Sequence, residues 1–171
     1  MWKKLKQKSD QYLTDTYKIL KKNSHHLINM NIADEHIDRT QATDIEIQVK
    51  GSAVGLRVRE PECRFRDFTI RSRVKSGQST ELDKLKQGYG DYYLYSWGDG
   101  EGRITEYVLI DLHQVRKSGL LDIKRPERSN GDGTKFISIS LVELKRDNCI
   151  LDYHLSEQTK TVLNSQFRKV V

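Results

Sequence analysis

Proline and cysteine are both scarce in this chain, with two of each among 171 residues. No Pro/Ser-rich stretch, internal repeat or low-complexity tract divides it, and its length suits one domain with a core of its own. Cys63 and Cys149 stand far apart, with no CxxC and no Cys/His pair at metal-binding spacing. That pattern gives no zinc site, and in a chain without an export signal it leads to an expected reducing, cytoplasmic setting, with a disulfide left open. The leading "MWKKLKQKSDQYL" has lysines but no apolar stretch behind them, so no secretory signal is expected. No run approaches the roughly 20 apolar residues that span a bilayer, so no membrane partner is expected either. Phosphate loops are missing too: "GYGD" does not match G-x-x-x-x-G-K-[ST], and "GDGEG" lacks a following lysine and helix. "DGEGRITEY" lacks the ligand spacing of a calcium loop. No serine or cysteine nucleophile has a base near it in sequence, and the adjacent His25 and His26 face different ways on any helix.

What the chain has is charge, and the charge is arranged. Residues 1 to 22 carry seven lysines against Asp10 and Asp15, and residues 57 to 75 carry seven basic residues against Glu60, Glu62 and Asp67. Between them Asp34, Glu35, Asp38, Asp44 and Glu46 face only Arg39. An acidic island between basic segments is what a protein needs to hold a divalent cation while gripping a polyanion. Chance clustering on a soluble surface gives the same pattern with no function.

The periodicity predicts an α+β fold. A helix is expected over 3 to 22, with Leu13, Tyr17 and Leu20 on one face and Ser9 or Asp10 as cap. "NSHHLINMNIADEHIDRTQ" reads as helix end and loop. Alternating strands follow at 44 to 50, 53 to 59 and 67 to 73, with Gly51-Ser52 as a hairpin tip. Ser79 or Thr80 caps a short helix through Leu85, which Gly88 ends. "YYLYSW" and "RITEYVLIDL" read as strands, and Asp111 caps a helix that Gly119 closes. "NGDGTKFISISLVEL" reads as a turn leading into a strand, and "SEQTKTVLNSQF" as a helix.

A helix, a three-stranded antiparallel meander, a helix and a strand, with an aspartate opening the first strand, resemble the core of the PD-(D/E)XK nuclease superfamily. The residues that carry the resemblance are "ATD", "VGLRVR", "RDFTIRS" and "TELDKLKQGYGDYYLYSW". It covers about residues 5 to 97, leaving about 103 to 171 as a mixed β/α extension. What it implies is a restriction-endonuclease-like core acting on DNA with Mg²⁺, held by carboxylates on adjacent strands. Asp44 then matches the first acid. The acid-x-Lys triplet falls on Gly55-Leu56-Arg57, so the second acid is missing and arginine replaces lysine. An arginine cannot act as a base, but it can stabilise developing charge. The residues expected at the reaction are therefore Asp44, Glu46 and Arg57, with Asp44, Glu46 and Asp38 as metal ligands. Asp34, Glu35, Asp67 and Glu81 are further acids within reach, and Gln48-Val49-Lys50 is an alternative match to the triplet.

The expected hairpin register also offers an explanation without function. It sets Glu46 opposite Arg57 and Asp44 opposite Arg59, as cross-strand ion pairs. Arg64, Arg66, Arg71, Arg73, Lys75 and Lys84 are the expected phosphate contacts, which position a nucleic acid without reading its sequence. Two rivals stand beside the nuclease: an inactive nucleic-acid-binding or assembly module on the same fold, and a homo-oligomer that pairs through "YYLYSW". Exposure of Tyr93 and Tyr95 is the sign of the last.

Overall fold

The computed structural model describes residues 10–24, 28–32, 45–49 and 52–167. It is a mixed α+β protein, as expected. The elements are α1 (Leu13–Lys22), β1 (Ile28–Ile32), β2 (Ile45–Val49), β3 (Val54–Arg59), β4 (Asp67–Arg73), α2 (Glu81–Lys86), β5 (Tyr92–Gly98) and β6 (Ile104–Asp111). Then come α3 (Leu112–Lys117), β7 (Arg128–Ser129), β8 (Lys135–Ser140), α4 (Leu141–Arg146), β9 (Ile150–His154) and α5 (Glu157–Phe167). The strands form a β1–β2 ribbon, a four-stranded sheet in the order β3-β5-β6-β9, and a three-stranded sheet in the order β4-β8-β7.

The expected meander is not how these strands pair. β2 runs antiparallel to β1, with Glu46 opposite Asn31, and β3 runs parallel to β5, with Arg57 opposite Tyr95. β4 pairs with β8. The cause is β5. Its residues are buried along nearly the whole strand, so it sits mid-sheet and takes a neighbour on each edge, β3 on one and β6 on the other. Asp91 fastens the start of the β3 pairing: its carboxylate accepts from the Ala53 amide at 2.8 Å, while its own amide donates to the Ala53 carbonyl at 2.9 Å. The segment expected as a loop contains β1, whose "INMNI" alternates with the period of a strand.

The two larger sheets face each other across one core. Phe68 and Ile70 of β4 and Ile137 and Ile139 of β8 cluster with Tyr93, Tyr95 and Trp97 of β5 and Val108 and Ile110 of β6. The Phe68 ring meets those of Tyr93 and Tyr95 edge-on, at centroid separations of 5.1 and 5.6 Å. Tyr93 and Tyr95 are thus core residues, 6% and 1% exposed, without the exposure expected of an interface through "YYLYSW". Cys63 and Cys149 are both free thiols. No helix of the described residues is long and apolar enough to cross a membrane.

The opposite face of the larger sheet presents Leu94, Tyr107 and Leu109 to Ile19 and Leu20 of α1. The face of α1 that turns inward carries Tyr12, Thr16 and Asn23, while Leu13 and Tyr17 are exposed. The expected face is rotated because polar anchors set it. Tyr12 accepts from the Gly100 amide, Asp15 accepts from the Ile104 amide, and Asn23 donates to Asp152. Of the expected caps, Asp10 makes no cap and Ser9 lies outside the described residues; the cap position is Tyr12, with no side-chain bond.

Asp152 is the centre of that docking. One carboxylate oxygen accepts from Lys22 at 3.0 Å, Asn23 at 2.9 Å and Tyr107 at 2.7 Å. Burial pushes its pKa up, but the bonds from Asn23, Tyr107 and Lys22 outweigh it and hold the carboxyl at about 2. A depressed carboxyl stabilises the fold above its unfolded pKa, and the contribution fades as pH falls through the folded value. Asp152→Ala is therefore expected to cost about 1–2 kcal/mol in urea unfolding at pH 7. The gap to the wild type should narrow as pH drops from about 4 towards 2.

The short helices follow their caps. Thr80 and Asp83 form a capping box at α2, Asp111 accepts from the His113 and Gln114 amides at α3, and Ser140 and Glu143 form a second capping box at α4. That last box ends the strand expected to run through "LVEL" and turns the chain into helix.

Candidate functional site

Arg57 is the expected site residue that the structure places most fully. It leaves β3 towards β4 and α2, where one guanidinium nitrogen donates to the Thr69 carbonyl at 2.8 Å and the other to Glu81 at 2.8 Å. Burial works against its charge, yet Tyr93, Glu81 and Tyr95 together raise its pKa above the ordinary value. It is a permanent cation here. Glu81, in the first turn of α2, accepts from three donors. Its Oε2 also accepts from the Arg71 amide at 3.0 Å, and its Oε1 accepts from the Tyr93 hydroxyl at 2.7 Å. Burial raises the Tyr93 pKa strongly, so this hydroxyl keeps its proton and donates.

The same ring explains the missing acid. A Cβ at Gly55 would meet Tyr93 Cδ2 at 2.7 Å, so the position where an acid was expected has no room for a side chain. Arg59, on the same strand, donates to the Tyr95 hydroxyl at 2.5 Å and to Thr69 Oγ1, and lies over the Tyr95 ring. The two arginines reach β4 and β5, and the β3 backbone pairs with β5 while β2 pairs with β1. Side chains, not backbone, join β3 to β4.

Asp44, Asp38 and the Glu46 side chain fall outside the described residues. Among the described residues no three His, Cys, Asp or Glu side chains gather into a metal-holding group. Glu81, the carboxylate beside Arg57, has its oxygens bound by a cation, an amide and a hydroxyl, which is not a Mg²⁺ ligand set. Asp67 opens β4 as expected. Burial raises its pKa, with Arg128 opposing.

Around Arg57 the surface falls into three adjoining depressions. One, of about 490 Å³, is lined by Arg57, Arg71, Glu81, Lys84, Tyr89 and Tyr93 among others. The next, of about 130 Å³, shares Arg57 and Arg71 with it and adds Arg59, Thr69, Asn130 and Phe136. The third, of about 340 Å³, shares Arg59, Thr69, Asn130 and Phe136 with the second and adds Phe65, Asp67 and Arg128. Five cations (Arg57, Arg59, Arg71, Lys84 and Arg128) line this groove against two carboxylates, Glu81 and Asp67.

Of the expected phosphate contacts, Arg71 and Lys84 lie in the groove. Arg64 lines a further depression, of about 720 Å³, that runs on towards α5 and shares Phe65 and Asp67 with the third. Arg66 is taken up inside the fold: it bonds Glu106 at 2.5 Å and the Cys63 carbonyl at 2.6 Å, and lies 4.9 Å over the Trp97 ring. Arg73 pairs with Glu127 at 3.2 Å, and Lys75 packs against Gly133 in the turn between β7 and β8. Arg128 and Asn130 were not foreseen. They come from a hairpin far along the chain, and no local sequence signal connects them to β3. Compared with protein-family models, curated proteins and solved structures, the chain matches none.

Proposed function

We propose that this chain binds nucleic acid along the arginine-lined groove, with DNA the polymer that the sequence resemblance implies. The observation that carries the reading is the imbalance of charge: five cations share one continuous groove with two carboxylates, one of them neutralised by Arg57. Arg71 and Lys84 make no ion pair with a described residue. Arginine forks match phosphate oxygens, and such contacts hold a backbone without reading bases. The test is fluorescence anisotropy with labelled DNA across a salt titration. The logarithm of the binding constant should fall linearly with that of salt, with a slope of about −3 to −4. Lys18→Ala and Lys21→Ala, on α1 and outside the groove, should leave it unchanged. No binding at low salt, or equal loss from the α1 variants, would remove the reading.

A second reading, a divergent phosphodiesterase on a restriction-endonuclease-like core, has one specific observation in its favour. Glu81 brings a carboxylate from α2 to the groove beside Arg57, where Tyr93 leaves no room for one on β3. In this reading Arg57 stabilises charge on the cleaved phosphate and Glu81 holds Arg57 in place. Incubation of labelled DNA with Mg²⁺ or Mn²⁺ tests it. Cleavage that is lost in Asp44→Ala supports it; intact DNA under conditions of full binding sinks it.

A further inference from the structure

We infer that the polymer held in this groove is single-stranded, with bases stacked on Phe65 and on Tyr89. The inference rests on the nucleic-acid reading and names its substrate class. Phe65 is 67% and Tyr89 64% exposed, although both belong to residue types that fill cores. Phe65 lines the depression that holds Arg59 and Arg128, and Tyr89 lines the one that holds Arg57, Arg71 and Lys84. Both rings therefore stand among the groove's cations.

Both rings stand on fixed backbone. The Phe65 carbonyl accepts from the Trp97 indole at 3.0 Å, and the neighbouring Arg66 is anchored to Cys63 and Glu106. The Tyr89 amide donates to the Lys84 carbonyl at 3.0 Å, and its carbonyl accepts from Arg116 at 3.5 Å. Gly88 and Gly90 on either side take φ of 95° and 77°, which lets the chain turn sharply and present the ring between them.

The chemistry around the rings selects the partner. An apolar protein surface laid on Phe65 or Tyr89 would have to strip water from the neighbouring arginines without pairing them. A duplex offers phosphates, but its base faces are hidden in its own stack. A single strand supplies a flat π face and a phosphate at every nucleotide, matching aromatic rings interleaved with cations.

The test compares a labelled oligothymidylate with a duplex of the same length, using wild type, Phe65→Ala, Tyr89→Ala, Phe65→Tyr and Tyr89→Phe. Circular dichroism should be unchanged, since both rings are exposed. Each alanine variant should bind the single strand about tenfold more weakly, with the salt slope intact, while the aromatic replacements keep wild-type affinity. Alanine variants that bind the single strand as wild type does, or a wild type that prefers the duplex, would overturn the inference and leave the basic groove standing. A wild type that binds neither form would overturn the nucleic-acid reading and the inference with it.

Discussion

Glu81→Ala is expected to lower the stability of the domain by about 3 kcal/mol, because it leaves the Arg57 charge partly buried without its counter-ion. Arg57 and Glu81 side chains are 25% and 20% exposed, so neither is an open surface group. The carboxylate also serves the Arg71 amide and the Tyr93 hydroxyl, and both lose their acceptor in the variant. Arg57→Met should cost less, since a long apolar side chain fills the space beside Tyr93 without a charge to satisfy. The double variant Arg57→Met/Glu81→Ala should then be more stable than the two single effects added together. Urea unfolding of the four proteins measures the coupling. A loss below about 0.5 kcal/mol for Glu81→Ala would mean that the pair behaves as an ordinary surface ion pair.

Removing Arg71, Lys84 and Arg128 together should weaken DNA binding a few hundredfold at physiological salt, at about 1–1.5 kcal/mol per lost contact. The salt slope should fall by about three, one for each phosphate contact removed. None of the three makes an ion pair with a described residue, so the triple alanine variant is expected to fold with little change in melting temperature. That separates it from variants of Arg57 and Arg66, which hold the fold as well as carry charge. Anisotropy at several salt concentrations reads both affinity and slope. Affinity lost with an unchanged slope would point to a distorted protein, not to missing phosphate contacts.

The elements most legible in the sequence were those set by local chemistry. β4 spans Asp67–Arg73 as read, and α2 and α3 begin at Thr80 and Asp111 because those side chains bond the first free amides. Strand partners were not legible. Gly51-Ser52 looks like a hairpin tip, but β5 is buried on both faces and draws β3 alongside it, a demand that no residue near 51 records. α4 shows the reverse. Ser140 and Glu143 spell a capping box in the sequence, but the alternation of "KFISIS" carried the strand reading past it.

The groove was half legible. Arg71 and Lys84 were foreseen from charge alone, while Arg66 looked equivalent on paper and is consumed by Glu106 and Trp97. Arg128 joins the groove only because the β7–β8 hairpin pairs β8 with β4. Gly55 was read as a missing ligand. The structure gives its physical reason, a tyrosine ring lying where a side chain would be.

The most direct test of the groove as the nucleic-acid interface is hydrogen–deuterium exchange of the whole chain with and without saturating oligonucleotide. Slowed exchange should fall on peptides covering 54–59, 64–71, 87–90 and 128–131, while α1 exchanges as in the free protein. Protection confined to α1 or α5, or no protection under conditions of full binding, would contradict the groove as the site of contact.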